Sequence, residues 1–166
     1  MTIIFDDEIN VDSVEKFCID LDNIMRGLEE GETVDLYIST NGGHNAYMHV
    51  LINSINKYAD KLVIYLTDIM QSCGFIMLWY LRNFNIYALP SFRESMIHKV
   101  DMVHSVSNKH FNRRTQRINE DNKTWYARWK ELGLSKKDLK RFKNNRDIYF
   151  SREQTLELFP NIIEIE

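Results

Sequence analysis

Val34-Asp-Leu-Tyr-Ile-Ser-Thr-Asn-Gly-Gly43 is the most informative stretch for the fold, because it joins an apolar strand to a turn of two glycines. Val34 to Ile38 carries the β-branched and aromatic residues that favour a strand, and glycine permits the backbone of a sharp turn. A helix is predicted directly after the turn, with one apolar face. The residues of that face are Ala46, Val50, Leu51, Ile55 and Tyr58.

Strands and helices alternate on both sides of this stretch. Before it we predict an edge strand over Ile3–Phe5 and an amphipathic helix whose N-cap is Asp12 or Ser13. After it we predict a buried strand over Leu62–Leu66, a turn over Asp68–Ser72 and a buried helix over Cys73–Leu81. This order favours an α/β fold with a mostly parallel sheet and right-handed crossovers.

The segment from Asn108 to Leu132 has a different pattern, since it contains neither glycine nor proline and is mostly charged. Its apolar residues form a thin stripe at seven-residue steps, which predicts one long helix of about 37 Å. Because so thin a stripe cannot bury the helix in a core of its own, we expect Trp125 and Trp129 to pack against another chain. Shorter elements follow: a helix capped by Ser135, a strand over Ile148–Phe150, and a capping box of Ser151 with Gln154.

The bulk composition is that of one globular domain. The chain has 166 residues, 44% hydrophobic and 27% charged, with a net charge of −3 that favours neither nucleic acid nor an anionic membrane. No apolar run is long enough to span a bilayer, and the N-terminus lacks the pattern of a signal peptide. Cys18 and Cys73 are interpreted as reduced thiols of a cytoplasmic protein. The spacing of His44, His49, His104 and His110 does not match a zinc motif, so we expect no metal.

Three elements carry groups suited to nucleophilic catalysis. Ser72 lies at a strand-to-helix turn, His98 ends a short strand over Ser95–Ile97, and Gly42-Gly43 follows another strand. A serine needs a base to take its proton, and backbone N–H groups at a helix start and a glycine turn suit an oxyanion. Spacing alone leaves the structural alternative open: a helix cap, a satisfied histidine and an ordinary turn.

A family resemblance adds to this pattern. Val34–Gly43 resembles the strand and Gly-Gly turn of the Clp protease proteolytic subunit, and Lys61–Phe75 resembles the strand that leads into its nucleophile turn. Tyr87-Ala-Leu-Pro90 and Met96-Ile-His98 are similar to the apolar-Leu-Pro strand and the Met-Ile-His motif of the same family. The similarity is clear over residues 32–98 and weaker elsewhere.

The resemblance implies a serine endopeptidase that works without a cofactor. Ser72 would be the nucleophile and His98 its base, and the backbone N–H groups of Gly43 and Cys73 would form the oxyanion hole. The third residue has two candidate registers: the Arg146-Asp147 pair matches the family's Arg-Asp, which selects Asp147, whereas counting back from Ser151 gives Lys143 or Asn144. We take Asp147 as the acid.

The resemblance also implies one ClpP/crotonase-like domain of repeated β-β-α units, with a head (about 1–98 and 146–166) and a protruding handle helix (about 99–145). The expected partners are peptide substrates and further copies of the chain, in a heptamer or two stacked heptamers, and an ATP-driven unfoldase. Besides the uncertain acid, there are two departures from the family pattern. The first predicted strand begins almost at Met1, so we expect no gating segment, and Lys99–Ser107, which has no glycine, takes the place of the glycine-rich substrate strand. The short chain suggests a divergent copy, such as one encoded by a virus in the host cytoplasm.

Two other functions remain open on the residues alone. One is a catalytically silent ring subunit with a structural or regulatory role, which the uncertain acid and the altered substrate strand favour. The other is an enoyl-CoA hydratase-like enzyme, which resembles this fold and does not need a serine and a histidine at these positions. Retention of both Ser72 and His98 favours the peptidase.

Overall fold

The computed structural model describes residues 1–99 and 108–165, with side chains for all of these except 108–114. The substrate strand expected at Lys99–Ser107 therefore lies, beyond Lys99, outside the described residues. The chain divides into two compact units: the first comprises Met1–Met96 and Tyr149–Glu166, and the second comprises Ile97–Ile148.

The described residues form seven strands and six helices, and strands and helices alternate over the first half of the chain. In chain order they are β1 (Thr2–Asp6), α1 (Val11–Arg26), β2 (Val34–Thr40), α2 (Asn45–Lys57), β3 (Leu62–Gln71), α3 (Cys73–Tyr80), β4 (Ile86–Ala88), β5 (Glu94–Ile97), α4 (Asn108–Glu131), α5 (Lys136–Lys143), β6 (Ile148–Ser151), α6 (Arg152–Leu158) and β7 (Ile162–Glu164).

Five strands form a parallel sheet in the order β1-β2-β3-β4-β7. The remaining two continue it: β5 pairs with β3 in parallel, and β6 pairs with β5. The predicted α/β class and mostly parallel sheet are therefore confirmed.

The turn predicted at Asp68–Ser72 is wrong, because β3 runs on to Gln71. Residues 64–66 of β3 pair with β4, whereas residues 69–71 pair with β5. The strand therefore keeps its backbone hydrogen bonds after β4 ends, because β5 becomes its neighbour. The polar residues that suggested a turn have partners there. Asp68 forms a salt bridge with Arg93, and Gln71 Nε2 donates to Glu94 Oε1 at 2.9 Å.

The two faces of the sheet differ. Alternate residues of β1, β2 and β3 are buried against the helices, and the rings of Phe5 and Phe17 meet edge to face at 5.5 Å. On the opposite face one register row crosses five strands, and three tyrosines stack side by side within it, with centroids 4.9 and 5.5 Å apart. The row consists of Ile4, Tyr37, Tyr65, Tyr87 and Ile163.

The start of α1 differs from the prediction. The N-cap is Asn10, whose side chain accepts from the N–H of Ser13, while the Ser13 hydroxyl accepts from the N–H of Asn10. Ser13 thus takes the N3 position of a capping box rather than the cap itself. The caps predicted at Ser135 and at Ser151 with Gln154 are confirmed.

In the second unit, the long helix is confirmed as α4, but the expected surroundings of its tryptophans are wrong. Trp125 and Trp129 stack with centroids 4.9 Å apart and are 5% and 0% exposed within the chain. The short helix α5 packs on α4 and buries Leu139 and Phe142. The prediction failed because it counted only the apolar residues of α4 itself.

Candidate active site

Ser72 connects β3 to α3 in an unusual backbone conformation. Its φ is 52° and its ψ is −114°, and it is one of two described residues other than glycine with a positive φ. Its N–H donates to Met96 O of β5 at 2.8 Å, and its side chain makes no capping bond to α3. The alternative that Ser72 is a side-chain helix cap is therefore wrong, because its side chain accepts no capping hydrogen bond from the first turn of α3.

The Gly42-Gly43 turn packs directly on Ser72. A Cβ added to Gly42 would lie 2.6 Å from Ser72 Cβ, 2.7 Å from Gln71 O and 3.0 Å from Cys73 N. The two glycines have φ values of 95° and 142°, which L side chains rarely adopt. Only glycine therefore satisfies both the backbone conformation and the close approach at this turn.

Residues outside the predicted site hold this turn in place. Ile9 N donates to Gly42 O and His44 N donates to Ile9 O, both at 2.7 Å. Gly42 N donates to Thr40 Oγ1 at 3.0 Å, and that hydroxyl donates to Asp7 O at 2.7 Å. Sequence reasoning missed Ile9 and Thr40, since nothing in their local pattern distinguishes them from other core and strand residues.

Gly74 fits the start of α3 against β2. A Cβ on Gly74 would meet Thr40 Cγ2 at 2.6 Å, so the Ser-X-Gly spacing predicted for the nucleophile turn is also a packing requirement. Gly42 lies against Ser72 and Gly74 lies against Thr40. The two turns therefore interlock through their glycines.

Cys73 is buried and begins α3. Its Sγ donates to Gly43 O at 3.1 Å. Burial raises the pKa of the Cys73 thiol to about 11, because the surroundings of the side chain disfavour the charged thiolate. The group is thus a neutral thiol near pH 7 and unsuited to act as a thiolate nucleophile. Its backbone N–H is among the first in α3, where helical N–H groups have no partner inside the helix.

His98 directly follows β5 and is half-buried. It belongs to the second unit, whereas Ser72 belongs to the first. The next residue, Lys99, donates from Nζ to Lys143 O at the end of α5, at 2.6 Å. Within the second unit, the chain around His98 is therefore tied to the start of the loop that carries the candidate third residues.

The candidate third residues differ in position. Asn144 is the C-cap of α5, and Asp147 directly precedes β6; both are exposed. Asp147 O accepts from Arg141 Nη2 at 2.8 Å. Toward the other described residues, the Asp147 carboxylate makes neither a hydrogen bond nor an ion pair.

The described part of the chain offers neither a metal cluster nor a membrane span. No group of three or more of its His, Cys, Asp or Glu side chains is arranged to hold a metal ion. No helix in the same residues has the length and apolar character needed to cross a bilayer.

Comparison with known proteins yields a likeness in structure. No family model matches the sequence, and no curated protein matches it. A ClpP1 mutant from Listeria monocytogenes is similar in structure, with a TM-score of 0.72, 18% sequence identity, and coverage of 99% of this chain and 91% of that one. The chain therefore has the α/β fold of a ClpP subunit, with a mostly parallel sheet and a long handle helix.

Proposed function

We propose that the chain is a serine peptidase of the Clp type, with Ser72 as its nucleophile. The observation that carries the proposal is the positive φ of Ser72 at the β3–α3 turn. Such a conformation costs on the order of 1–3 kcal/mol and clusters at active sites. A serine that merely capped the helix would need no strain, and this side chain makes no capping bond. A strained strand-to-helix turn is also how other hydrolases expose a nucleophilic serine.

His98 is the proposed base. Ser72 N–H is bonded to Met96 O, and His98 is two residues after Met96 in the sequence. An unprotonated imidazole nitrogen can accept the hydroxyl proton. The bond from Lys99 Nζ to Lys143 O links the residue after His98 to the loop that follows α5. We therefore propose that this loop supplies the group that orients the His98 imidazole: Asp147, with Asn144 as the alternative.

The proposed reaction uses these groups in order. Ser72 Oγ attacks the carbonyl carbon of the peptide bond while His98 takes the hydroxyl proton. The N–H groups of Gly43 and Cys73 donate to the oxygen that becomes negative. His98 then protonates the leaving amine as the C–N bond breaks, and water releases the acyl group from Ser72 with His98 again as base.

We further propose self-association into a ring, a heptamer or two stacked heptamers, which forms an ATP-independent peptidase core for peptides or unfolded chains. The register row from Ile4 to Ile163 supports association, since its two end residues are 66% and 46% exposed and three stacked tyrosines lie between them. A contiguous apolar strip of this kind is typical of an interaction surface.

A fluorophosphonate probe tests the proposed nucleophile, because it reacts with an activated serine. We expect labelling at Ser72, found by peptide mapping, and loss of both labelling and peptide hydrolysis in Ser72→Ala. The loss of hydrolysis should be on the order of 10⁶-fold. Ser13→Ala, at the N3 position of the α1 capping box, is the control and should keep both. A wild-type protein that takes no label contradicts the proposal.

The exposed Asp147, whose carboxylate bonds none of the described residues, favours one alternative: a catalytically silent ring subunit. An Asp147 carboxylate that makes no such bond would not supply the orienting acid of a triad. The same probe separates the two functions, since a silent subunit would assemble normally and leave Ser72 unlabelled.

A further inference from the structure

The Cys73 side chain makes a polar contact that the proposed reaction does not use. Its Sγ lies 3.1 Å from Gly43 O and donates to it. The side chain is buried, with only 5% of the residue exposed. The contact joins the first residue of α3 to the glycine turn whose backbone is proposed to bind the oxyanion. The role inferred for this thiol thus rests on the proposed function.

The peptide planes on either side of Gly43 are each held from one direction by Ile9. Gly42 O accepts from Ile9 N, and His44 N donates to Ile9 O. No described peptide bond is cis, and in a trans peptide the N–H and C=O point in opposite directions. The N–H and the C=O of Gly43 therefore both face away from Ile9, on the side of Cys73.

The Gly43 backbone needs an anchor of its own, besides the bonds that Ile9 and Thr40 make to its neighbours. Glycine rotates more freely about φ and ψ than any other residue, and two glycines stand in succession here. A rotation of the Gly43 backbone would turn its N–H away from the reacting carbonyl. Ile9 forms hydrogen bonds with Gly42 O and His44 N, but not with the N–H or the C=O of Gly43. A group on the opposite side of the turn is therefore needed to fix these two.

We propose that the Cys73 thiol is a positioning group that fixes the Gly43 backbone by donating its proton to Gly43 O, so that Gly43 N–H stays directed at the oxyanion. The Ile9 backbone holds one side of the turn and the thiol holds the other. Cys73 would then serve the reaction twice, through its own N–H and through its side chain.

The ionisation state of the thiol fits this role. A thiolate would repel a carbonyl oxygen, whereas a thiol donates to it. Because burial raises the pKa of Cys73 to about 11, the proton needed for the bond is retained throughout the neutral range.

Two substitutions test the role. Cys73→Ala removes the donor, whereas Cys73→Ser keeps a donor in a slightly smaller side chain. We expect Cys73→Ala to lower kcat and the rate of fluorophosphonate labelling about three- to tenfold, the factor for one neutral hydrogen bond, with KM unchanged. Cys73→Ser should recover most of this loss. The control is Cys18→Ala in α1, which should match the wild type.

An infrared measurement tests the bond without reference to activity. In Cys18→Ala the one remaining S–H stretching band belongs to Cys73, and we expect it below the frequency of a free thiol in an apolar solvent. A band at the free-thiol frequency overturns the proposal. So does a Cys73→Ala protein labelled at the wild-type rate, or a Cys73→Ser protein as slow as Cys73→Ala. These results differ from failure of the proposed function, in which the wild-type protein itself takes no label.

Discussion

Gly42 is the residue at which packing and backbone conformation can be separated, because Gly133 offers a matched control. Both have a φ near 95°, but a Cβ on Gly133 would meet nothing within 4 Å, whereas on Gly42 it would meet Ser72 and Gln71 below 3 Å. We expect Gly133→Ala to lower the free energy of unfolding by about 1–2 kcal/mol, from backbone strain alone.

Gly42→Ala should cost a further 1–3 kcal/mol, roughly, from overpacking, and should prevent labelling of Ser72. Urea unfolding and the labelling rate measure the two effects. Equal losses of stability in the two variants, with equal labelling, would contradict the close packing of the turn on Ser72.

The ionisation of Cys73 predicts a fall in stability at alkaline pH. The folded pKa is about 11, above the ordinary value of 9.0. Between these values the unfolded chain loses the proton while the folded chain keeps it, so the free energy of unfolding decreases as pH rises from about 9 to about 11. The limit is roughly 3 kcal/mol for a shift of this size.

Lysines and tyrosines titrate in the same range, so the test is a difference between two proteins. Urea unfolding of the wild type and of Cys73→Ala at pH 8 and pH 10.5 should show the steeper decline in the wild type. Parallel declines would mean that the thiol is not buried as described.

The third residue of the proposed triad is decided by two substitutions in the α5–β6 loop. An imidazole that becomes positively charged in the transition state is helped most by a carboxylate, so we expect Asp147→Asn to lower the rate of hydrolysis about 10⁴-fold. Asn144→Ala should change the rate little. The reverse result would assign Asn144, which is adjacent to the carbonyl bonded by Lys99. If neither substitution changes the rate, neither residue orients His98 and the peptidase works as a dyad.

At the scale of elements, α4 owes its stability to α5. Trp129 is fully buried, and its backbone O accepts from Leu134 N at 3.0 Å in the connection between the two helices. We expect Trp129→Ala to lower the free energy of unfolding by about 3–5 kcal/mol, as for other buried aromatic residues. Lys130→Ala, at the exposed neighbour on the same helix, should change it by less than about 0.5 kcal/mol.

Urea unfolding followed by circular dichroism measures both variants. Since the tryptophans are buried within one chain, assembly should weaken in Trp129→Ala only as far as the helix pair unfolds. A stable, fully helical Trp129→Ala protein that forms smaller assemblies would instead support the expectation from the sequence, that a second chain covers this residue.

At the scale of the whole molecule, the register row from Ile4 to Ile163 predicts an assembly surface. Ile4 is 66% exposed at the edge of the sheet, on the face opposite the helices. Ile4→Lys should leave the fold intact and shift the assembly toward smaller species, because it places a charge in an apolar contact. Ile19→Lys is the control: Ile19 is 54% exposed on α1, and its substitution should leave the assembly unchanged.

Sedimentation velocity of the wild type and the two variants measures the size of the species. A monomeric wild type would contradict the proposed ring. A shift in Ile19→Lys as large as in Ile4→Lys would mean that the surface lies elsewhere.

The class of fold and the order of its elements could be predicted from the amino-acid sequence, because both depend on local patterns. Apolar runs and amphipathic periodicity place strands and helices, and their alternation implies a parallel sheet. The glycine turn and the Ser-X-Gly spacing could also be recognised from the sequence, because a short stretch of backbone there must adopt conformations that few residues permit. The order of residues was therefore enough to predict turns at Gly42-Gly43 and at Ser72.

Which groups come together was decided by contacts between elements. Four contacts join residues that are distant in the chain or lie on different elements. They are the hydrogen bonds of Ile9 with Gly42 and His44, the close packing of Gly42 on Ser72, the bond from Cys73 Sγ to Gly43 O, and the burial of Trp129 by α5. The extension of β3 to Gln71 likewise depends on β5 as a new neighbour. Such contacts are set by packing and hydrogen bonding in the folded chain, and they cannot be predicted from a local pattern of residues.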